Sequence, residues 1–296
     1  MKQYGQFSKP WQELNFSDNY IFCKVMQNPE LCKKLLEILL DFRIDKIEYL
    51  NTEQTLENNY NTRGIRMDVY VKDSNKVYDL EMQSGDYEDI LLRARYYQSA
   101  CDIANTNRRT QYRNLKETYI IFLCKDDPFG LDLPKYTEHK SFLEDHSFIY
   151  NDKTHKLFYN ASSFAKEKNQ QVREVLEFIY NLKSHPGITQ ELEKSVLQTK
   201  QKPQWEDEYM YFIDIVEEEK EYARQIGHAE GLAAGHAEGH AEGLAEGLAE
   251  GHAEGLAEGA HYSSVNTAKK LLAMNTLTKQ QIADAVNLPI EEILAL

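Results

Sequence analysis

The chain lacks the signals of membrane insertion and export. Its 296 residues contain no apolar run of the roughly 18 residues that a transmembrane helix needs, so we expect no membrane span. No charged-then-apolar leader opens the sequence, which predicts a protein that is not exported. The four cysteines lie far apart without a C-x-x-C pair, which argues against a zinc site or a disulfide framework. The expected location is the reducing cytoplasm.

The chain also lacks a balance of charge, because its 34 lysines and arginines are outnumbered by 48 acidic residues. A formal net charge of −14 ordinarily argues against a nucleic-acid partner. However, residues 227–260 contribute seven glutamates and no lysine or arginine, which is half of that excess. The net charge of the whole chain therefore says little about any one surface. With 42% hydrophobic residues, the chain can form a sizeable core and more than one structural unit.

Residues 64–84 alternate between apolar and polar side chains on both sides of a D-S-N-K turn at residues 73–76, a pattern typical of a β-hairpin. If the two ends of the turn pair, one face of the hairpin is polar and the other is apolar. The pairs on the polar face are Asp68 with Glu81, Arg66 with Gln83, and Tyr70 with Asp79. The side chains on the apolar face, which needs a core, are Met67, Val69, Val71, Tyr78, Leu80 and Met82.

Two carboxylates, Asp68 and Glu81, are thus directly opposed. Like charges at this position destabilise a sheet, because the Cβ atoms of opposed residues lie only about 5 Å apart. A divalent cation held between the two would offset the repulsion, since hard cations prefer carboxylate oxygens. The alternative is an ordinary solvated strand face, and the hairpin alone does not decide between the two.

The elements around the hairpin predict an α/β fold. Residues 17–42 have helical spacing with a break at Asn28-Pro29, and Asp18 in the first turn has a simple explanation as a helix-terminus carboxylate. We expect a first strand at 44–51. The amphipathic stretch 87–104 and the apolar run 118–124 predict a crossover helix followed by a buried central strand. The result is a mixed sheet flanked by helices.

The most basic window of the chain lies between that helix and that strand. Residues 108–116 carry Arg108, Arg109, Arg113 and Lys116 and no acid. Such a loop is usually solvated surface, but beside an acidic metal site it could follow DNA phosphates.

Four short segments, FSDNYIF, RMDVYV, LEMQS and RARYYQS, resemble the Rpn family of recombination-promoting nucleases, whose members are also described as transposases. The arrangement of an acid on one strand, acid-x-polar on the next, then a helix and a strand is similar to the PD-(D/E)XK nuclease superfamily. The likeness covers residues 15–130 by its motifs and continues loosely to the C-terminus. It implies a restriction-endonuclease-like fold in which Asp68 and Glu81 are the catalytic, metal-binding acids and Gln83 is the third motif residue.

Gln83 stands where most of the superfamily has lysine. The superfamily pattern gives that lysine the task of activating the attacking water and stabilising negative charge. Gln83 can orient a water through its amide but supplies no charge. Either Arg66 or Arg93 could supply it, and the sequence does not choose between them. Tyr96 and Asp18 are further supporting candidates.

The resemblance implies metal-assisted hydrolysis of DNA. Mg²⁺, or another divalent cation such as Mn²⁺ or Ca²⁺, would polarise the phosphodiester and lower the pKa of a bound water. The basic residues 108–116 would then contact the DNA backbone.

The C-terminal third predicts helices. Residues 227–260 repeat G-[HL]-A-E with glycine at every fourth position, which lowers helix stability by about 1 kcal/mol per interior glycine. We nevertheless expect a helical spacer or a dimer stem there. The last residues predict a small helical module, similar in spacing to a helix-turn-helix but poor in basic residues. Dimerisation is an equally good role for its apolar residues, which are Leu271, Leu272, Ile282, Ile290, Ile293 and Leu294.

The expected organisation is a tail (1–12), a nuclease core (13–165), a helical extension (166–226), the repeat spacer (227–260) and the helical module (261–296). Two functions from different classes remain open. One is a Mg²⁺-dependent DNA endonuclease of recombination, mobile elements or phage defence, oligomerising through its C-terminal region. The other is a DNA-binding or scaffolding protein that keeps a nuclease-like fold without useful catalysis.

Overall fold

The computed structural model describes residues 9–56, 65–85 and 87–296, and the chain divides into two compact units, Met1–Ile215 and Val216–Leu296. The strands among the described residues are β1 (Tyr49–Leu56), β2 (Ile65–Lys72), β3 (Lys76–Gln83), β4 (Glu117–Cys124), β5 (Lys135–Thr137) and β6 (Thr154–Asn160). The α-helices are α1 (Asn19–Met26), α2 (Pro29–Leu40), α3 (Ile90–Ala104), α4 (Gln170–Asn181), α5 (Ile188–Lys200), α6 (Pro203–Met274), α7 (Lys279–Val286) and α8 (Ile290–Ala295).

The strands form one mixed sheet in the order β1-β2-β3-β4-β6-β5. β1, β2 and β3 are antiparallel neighbours, whereas β3, β4 and β6 are parallel. α3 connects β3 to β4 and is the predicted crossover helix. A mixed α/β sheet flanked by helices is therefore confirmed.

Both faces of the sheet are covered. On one face, Val69, Val71 and Leu80 belong to a large core with residues of α1, α2, α4 and α5. On the other face, Tyr70 and Val77 pack with residues of α3. The alternative of a solvated strand face does not hold, because α3 packs on this face and Asp68, Asp79 and Glu81 are buried.

Three local expectations need correction. Met67 packs with Tyr70 on the α3 side and not with Val69, so the alternation of β2 changes phase between Met67 and Val69.

The predicted tail at residues 1–12 does not hold for Trp11, which is 2% exposed and packs against Tyr20 and Tyr209. Residues 1–8 lie outside the described part. The first strand begins at Tyr49, five residues later than expected.

The second unit contains the repeat and the terminal module. Residues 227–260 lie wholly within α6, which confirms the helical prediction for the repeat. α7 begins at a capping box between Thr278 and Gln281. Of the residues predicted to mediate dimerisation, Ile282 and Ile293 are buried in the module's own core, and Leu271, Leu272 and Ile290 pack against it. They are used within the chain, and only Leu294 of that set is largely exposed, at 60%. None of the described helices combines the length and apolar character needed to cross a membrane.

Candidate active site

Asp68 and Glu81 lie where the β2–β3 hairpin opens. Backbone pairing follows the predicted register from Lys72↔Val77 to Val69↔Leu80. At the next position, side chains take over as acceptors. The backbone N–H of Asp68 donates to Glu81 Oε1 at 2.8 Å, and the N–H of Met82 donates to Asp68 Oδ2 at 3.0 Å. Each carboxylate is thus fixed by a backbone donor at the point where the two strands separate.

These acids are deeply buried. Asp68 is 8% exposed and Glu81 is 2% exposed. Burial raises the pKa of Glu81 well above its usual value, and the charges of Asp68 and Asp79 raise it further. The site therefore opposes the accumulation of negative charge when no cation is present.

A third acid, Asp79, belongs to this cluster and was given no role from the sequence. It is 0% exposed, and neither of its oxygens receives a hydrogen bond from a donor in the part of the chain that the structure describes. Burial, reinforced by the charge of Asp68, raises the pKa of Asp79 well above its usual value. Its carboxyl also interacts with that of Glu81, and two carboxyls can hydrogen-bond only through a shared proton. The signal in the sequence was the D-x-E-x-Q spacing, which puts Asp79, Glu81 and Gln83 on one strand face.

Arg93 of α3 lies directly over this face. Its guanidinium donates to Gln83 Oε1 at 2.8 Å and lies 3.8 Å from Glu81 Oε2. The Gln83 amide also donates to the carbonyl of Gly85. Arg93 further packs over the rings of Tyr97 and Phe122. The motif glutamine therefore fixes an arginine beside the motif glutamate.

The other supporting candidates have different surroundings. Asp18 is the N-cap residue of α1, where it pairs with Lys9 at 2.5 Å and accepts from the Asn15 N–H at 2.8 Å. Tyr96 on α3 is 39% exposed. Arg66 lies on β2 opposite Thr55 of β1, and its side chain is outside the described part. Of the two arginines that could supply positive charge, the described structure places Arg93 at the acids.

The basic residues 108–116 lie at the other end of β3. β3 and β4 pair in parallel from Lys76↔Glu117 to Gln83↔Cys124, so the segment that precedes Glu117 is next to the start of β3. Lys116 Nζ donates to the carbonyl of Asp73 in the hairpin turn at 3.1 Å. Glu81 is five residues further along β3, or roughly 16 Å at the usual strand rise. The structure does not bring the basic residues and the acids together.

The donor set of the site fits a hard divalent cation. Among the described residues, no three His, Cys, Asp or Glu side chains are placed to hold a metal together. Mg²⁺ does not require such a cage, because it commonly binds one or two carboxylates and keeps waters or substrate phosphates as its other ligands. Asp68 and Glu81 would hold the cation, and its charge would offset their repulsion and the cost of the unsatisfied Asp79.

The structure has a buried acid pair at the opening of a β-hairpin, followed by a helical crossover to a parallel strand. This arrangement is typical of the PD-(D/E)XK nuclease fold. A sequence profile of the PD-(D/E)XK nuclease family transposases matches residues 15–226, and the chain belongs to this family. The match extends beyond the predicted motif region, 15–130, through α4 and α5. No curated protein and no solved structure matches the chain significantly. Family membership supports a nuclease-like or transposase function.

Because folding raises the pKa of Asp79, we expect the stability of the folded protein to fall as pH rises. The folded state binds the proton of this carboxyl more tightly than the unfolded state does. The contribution of this carboxyl to the free energy of unfolding is fully present below its unfolded-state pKa of about 4. It is lost as pH rises through the folded-state pKa. In EDTA at pH 8, we expect Asp79→Asn to unfold at higher urea than the wild type, with a gain of about 1–3 kcal/mol.

The gain should shrink as pH falls toward about 4, where the wild-type carboxyl is protonated in the folded state and about half protonated in the unfolded state. Asp89→Asn, an amide substitution at an exposed acid, is the matched control and should change little. If Asp79→Asn and the wild type have equal urea midpoints at both pH 4 and pH 8, the ionised Asp79 carboxyl does not destabilise the fold, which would contradict this prediction.

Proposed function

We propose that this chain is a divalent-metal-dependent DNA endonuclease that hydrolyses phosphodiester bonds. The observation that carries the proposal is a pair of hydrogen bonds across the opening of the hairpin, in which Glu81 Oε1 accepts from the Asp68 N–H and Asp68 Oδ2 accepts from the Met82 N–H, so that both buried carboxylates are oriented. Membership of the PD-(D/E)XK nuclease family transposases supports the same chemistry. The cofactor is Mg²⁺, with Mn²⁺ or Ca²⁺ as other candidates.

Each residue of the site has a distinct role in this proposal. Asp68 and Glu81 bind the cation, which when present polarises the phosphodiester and lowers the pKa of a bound water. Arg93 supplies the positive charge that lysine gives in most of the superfamily, because its guanidinium is held beside Glu81 by Gln83. Gln83 thus acts by positioning Arg93, since its amide oxygen is engaged by that guanidinium.

Such an activity in the cytoplasm would serve recombination, the movement of mobile elements or defence against phage. The alternative is a DNA-binding or scaffolding protein that no longer cleaves. One observation favours it: Asp68 and Glu81 are only 8% and 2% exposed, so a substrate reaches them only if the surrounding groups move. A cleavage assay separates the two functions.

In a supercoiled-plasmid assay with Mg²⁺, we expect the wild type to nick DNA and to lose this activity in EDTA. Asp68→Ala and Glu81→Ala should each lower the cleavage rate at least about 100-fold, because loss of one ligand weakens binding of the cation. Glu88→Ala, at an exposed acid outside the cluster, is the control and should cleave normally. Equal nicking by all four proteins would exclude the site, and no nicking by the wild type would favour the scaffold.

The same assay tests the role of Arg93. Arg93→Gln keeps a hydrogen-bonding side chain but removes the charge, so we expect a loss of about 100- to 1000-fold in rate, the range typical of one electrostatic group. Arg93→Lys should retain more activity than Arg93→Gln. If Arg93→Gln cleaves at the wild-type rate, the charge comes from elsewhere.

We also propose that the chain forms a homo-oligomer through its C-terminal helical region. The repeat carries nine glycines at four-residue intervals, and its leucines are exposed, from 56% for Leu232 to 67% for Leu248. A lone helix of this composition is marginal, and contact with a second copy would stabilise it. Sedimentation velocity of the full chain should therefore give a dimer or a larger species, and a monomer at micromolar concentration would contradict the proposal.

A further inference from the structure

A second surface of the first unit has the chemistry of a nucleic-acid contact. It consists of residues 108–116, called here the basic loop, and includes the short 3₁₀ helix Tyr112–Asn114. Arg108, Arg109 and Arg113 are exposed, and none of them forms an ion pair with an acid in the described part of the chain. The nearest acid in sequence, Glu117, is already engaged by His155 at 2.8 Å and by Lys76 at 3.7 Å. The loop therefore presents three guanidinium groups to solvent.

Tyr112 projects from the middle of this loop. It is 91% exposed, the highest value among the large hydrophobic side chains of the described residues. An aromatic ring left almost wholly in water gains much from stacking on another planar group. Flanked by guanidinium groups, the ring is placed as in single-strand binding sites, where charges follow the backbone and aromatic rings stack on bases.

The basic loop is anchored along its length. The Asn107 side chain accepts from the Arg109 N–H at 2.9 Å, and the Thr110 hydroxyl accepts from the Asn107 N–H at 3.0 Å. Lys153 Nζ then donates to the carbonyls of Arg113 at 2.8 Å and Leu115 at 3.1 Å. Because these contacts hold the backbone on both sides of Tyr112, little entropy is lost when the ring stacks on a ligand.

The position of the loop sets its distance from the cleavage site. It lies next to the start of β3, whereas Glu81 lies roughly 16 Å away along the strand. With a spacing of about 3.4 Å per nucleotide along duplex DNA, this distance corresponds to about five nucleotides. DNA cut at Asp68 and Glu81 could therefore reach the loop with a flanking segment.

We propose that the basic loop is a second DNA-binding surface, in which Arg108, Arg109 and Arg113 contact phosphates and the Tyr112 ring stacks on an unpaired base. This inference rests on the proposed action on DNA and extends it to the substrate. The preferred substrate then has single-stranded character a few nucleotides from the cleaved bond, as in a branched or frayed duplex. The stacking ring distinguishes this surface from a purely electrostatic one, which would not favour unpaired bases.

The test is fluorescence anisotropy with the full chain in EDTA, where cleavage does not occur. The probes are a labelled oligothymidine of about 20 nucleotides, longer than one binding site, and a duplex of the same length. Tyr112→Ala should weaken binding of the oligothymidine about 10-fold, because it removes the ring on which a base stacks. Tyr112→Phe keeps the ring and should bind like the wild type.

Two further variants complete the test. Tyr211→Ala removes another exposed tyrosine, 68% accessible and outside the basic loop, and should not change binding. Arg109→Ala should weaken both probes and lower the slope of log affinity against log salt by about one. Equal affinity for oligothymidine in Tyr112→Ala and the wild type would overturn the inference, as would an equal loss on both probes.

The outcome separates this inference from the nuclease proposal. Plasmid nicking by the wild type together with unchanged binding in Tyr112→Ala would refute the surface alone. Ring-dependent binding of oligothymidine by a wild type that does not nick would refute catalysis and leave the surface in place.

Discussion

The site depends on two hydrogen bonds across the hairpin, from the Asp68 N–H to the Glu81 carboxylate and from the Met82 N–H to the Asp68 carboxylate. In an uninterrupted antiparallel ladder, the backbone donors at this point would pair with carbonyls of the partner strand. Here the two carboxylates accept them, so the strands separate while the acids remain fixed. The same arrangement concentrates negative charge inside the protein, and the cost of this charge is the reason to expect a cation at the site.

The rest of the first unit packs on both faces of the hairpin where Asp68 and Glu81 lie. The core formed with α1, α2, α4 and α5 holds the apolar face of the hairpin, and α3 seals the acidic face. The same helix brings Arg93 onto Gln83 and Glu81. In the proposed mechanism, Gln83 on β3 and Arg93 on α3 together replace the lysine found in most of the superfamily: Gln83 positions Arg93, and Arg93 supplies the charge.

Much of this arrangement followed from the sequence because it is local. A period of two in side-chain direction and a four-residue turn fix which hairpin residues face each other, and the predicted register is confirmed from Lys72↔Val77 to Val69↔Leu80. Beyond that point the strands separate, which the alternation of the sequence does not reveal. The burial of the acidic face was not predictable in this way, because it depends on how α3 docks across the sheet. Asp79 was overlooked for the same reason, as a carboxylate becomes conspicuous only when its surroundings offer no donor. The burial of Trp11 is likewise not predictable from the sequence, because a single aromatic residue has no periodicity that would reveal its packing.

We propose that one divalent cation binds between the carboxylates of Asp68 and Glu81. The most direct measurement is anomalous diffraction from crystals of the full chain soaked in Mn²⁺. A single anomalous peak within about 2–2.5 Å of an oxygen of both side chains is the predicted result. An empty site at saturating Mn²⁺, or a peak bound only to other residues, would contradict it.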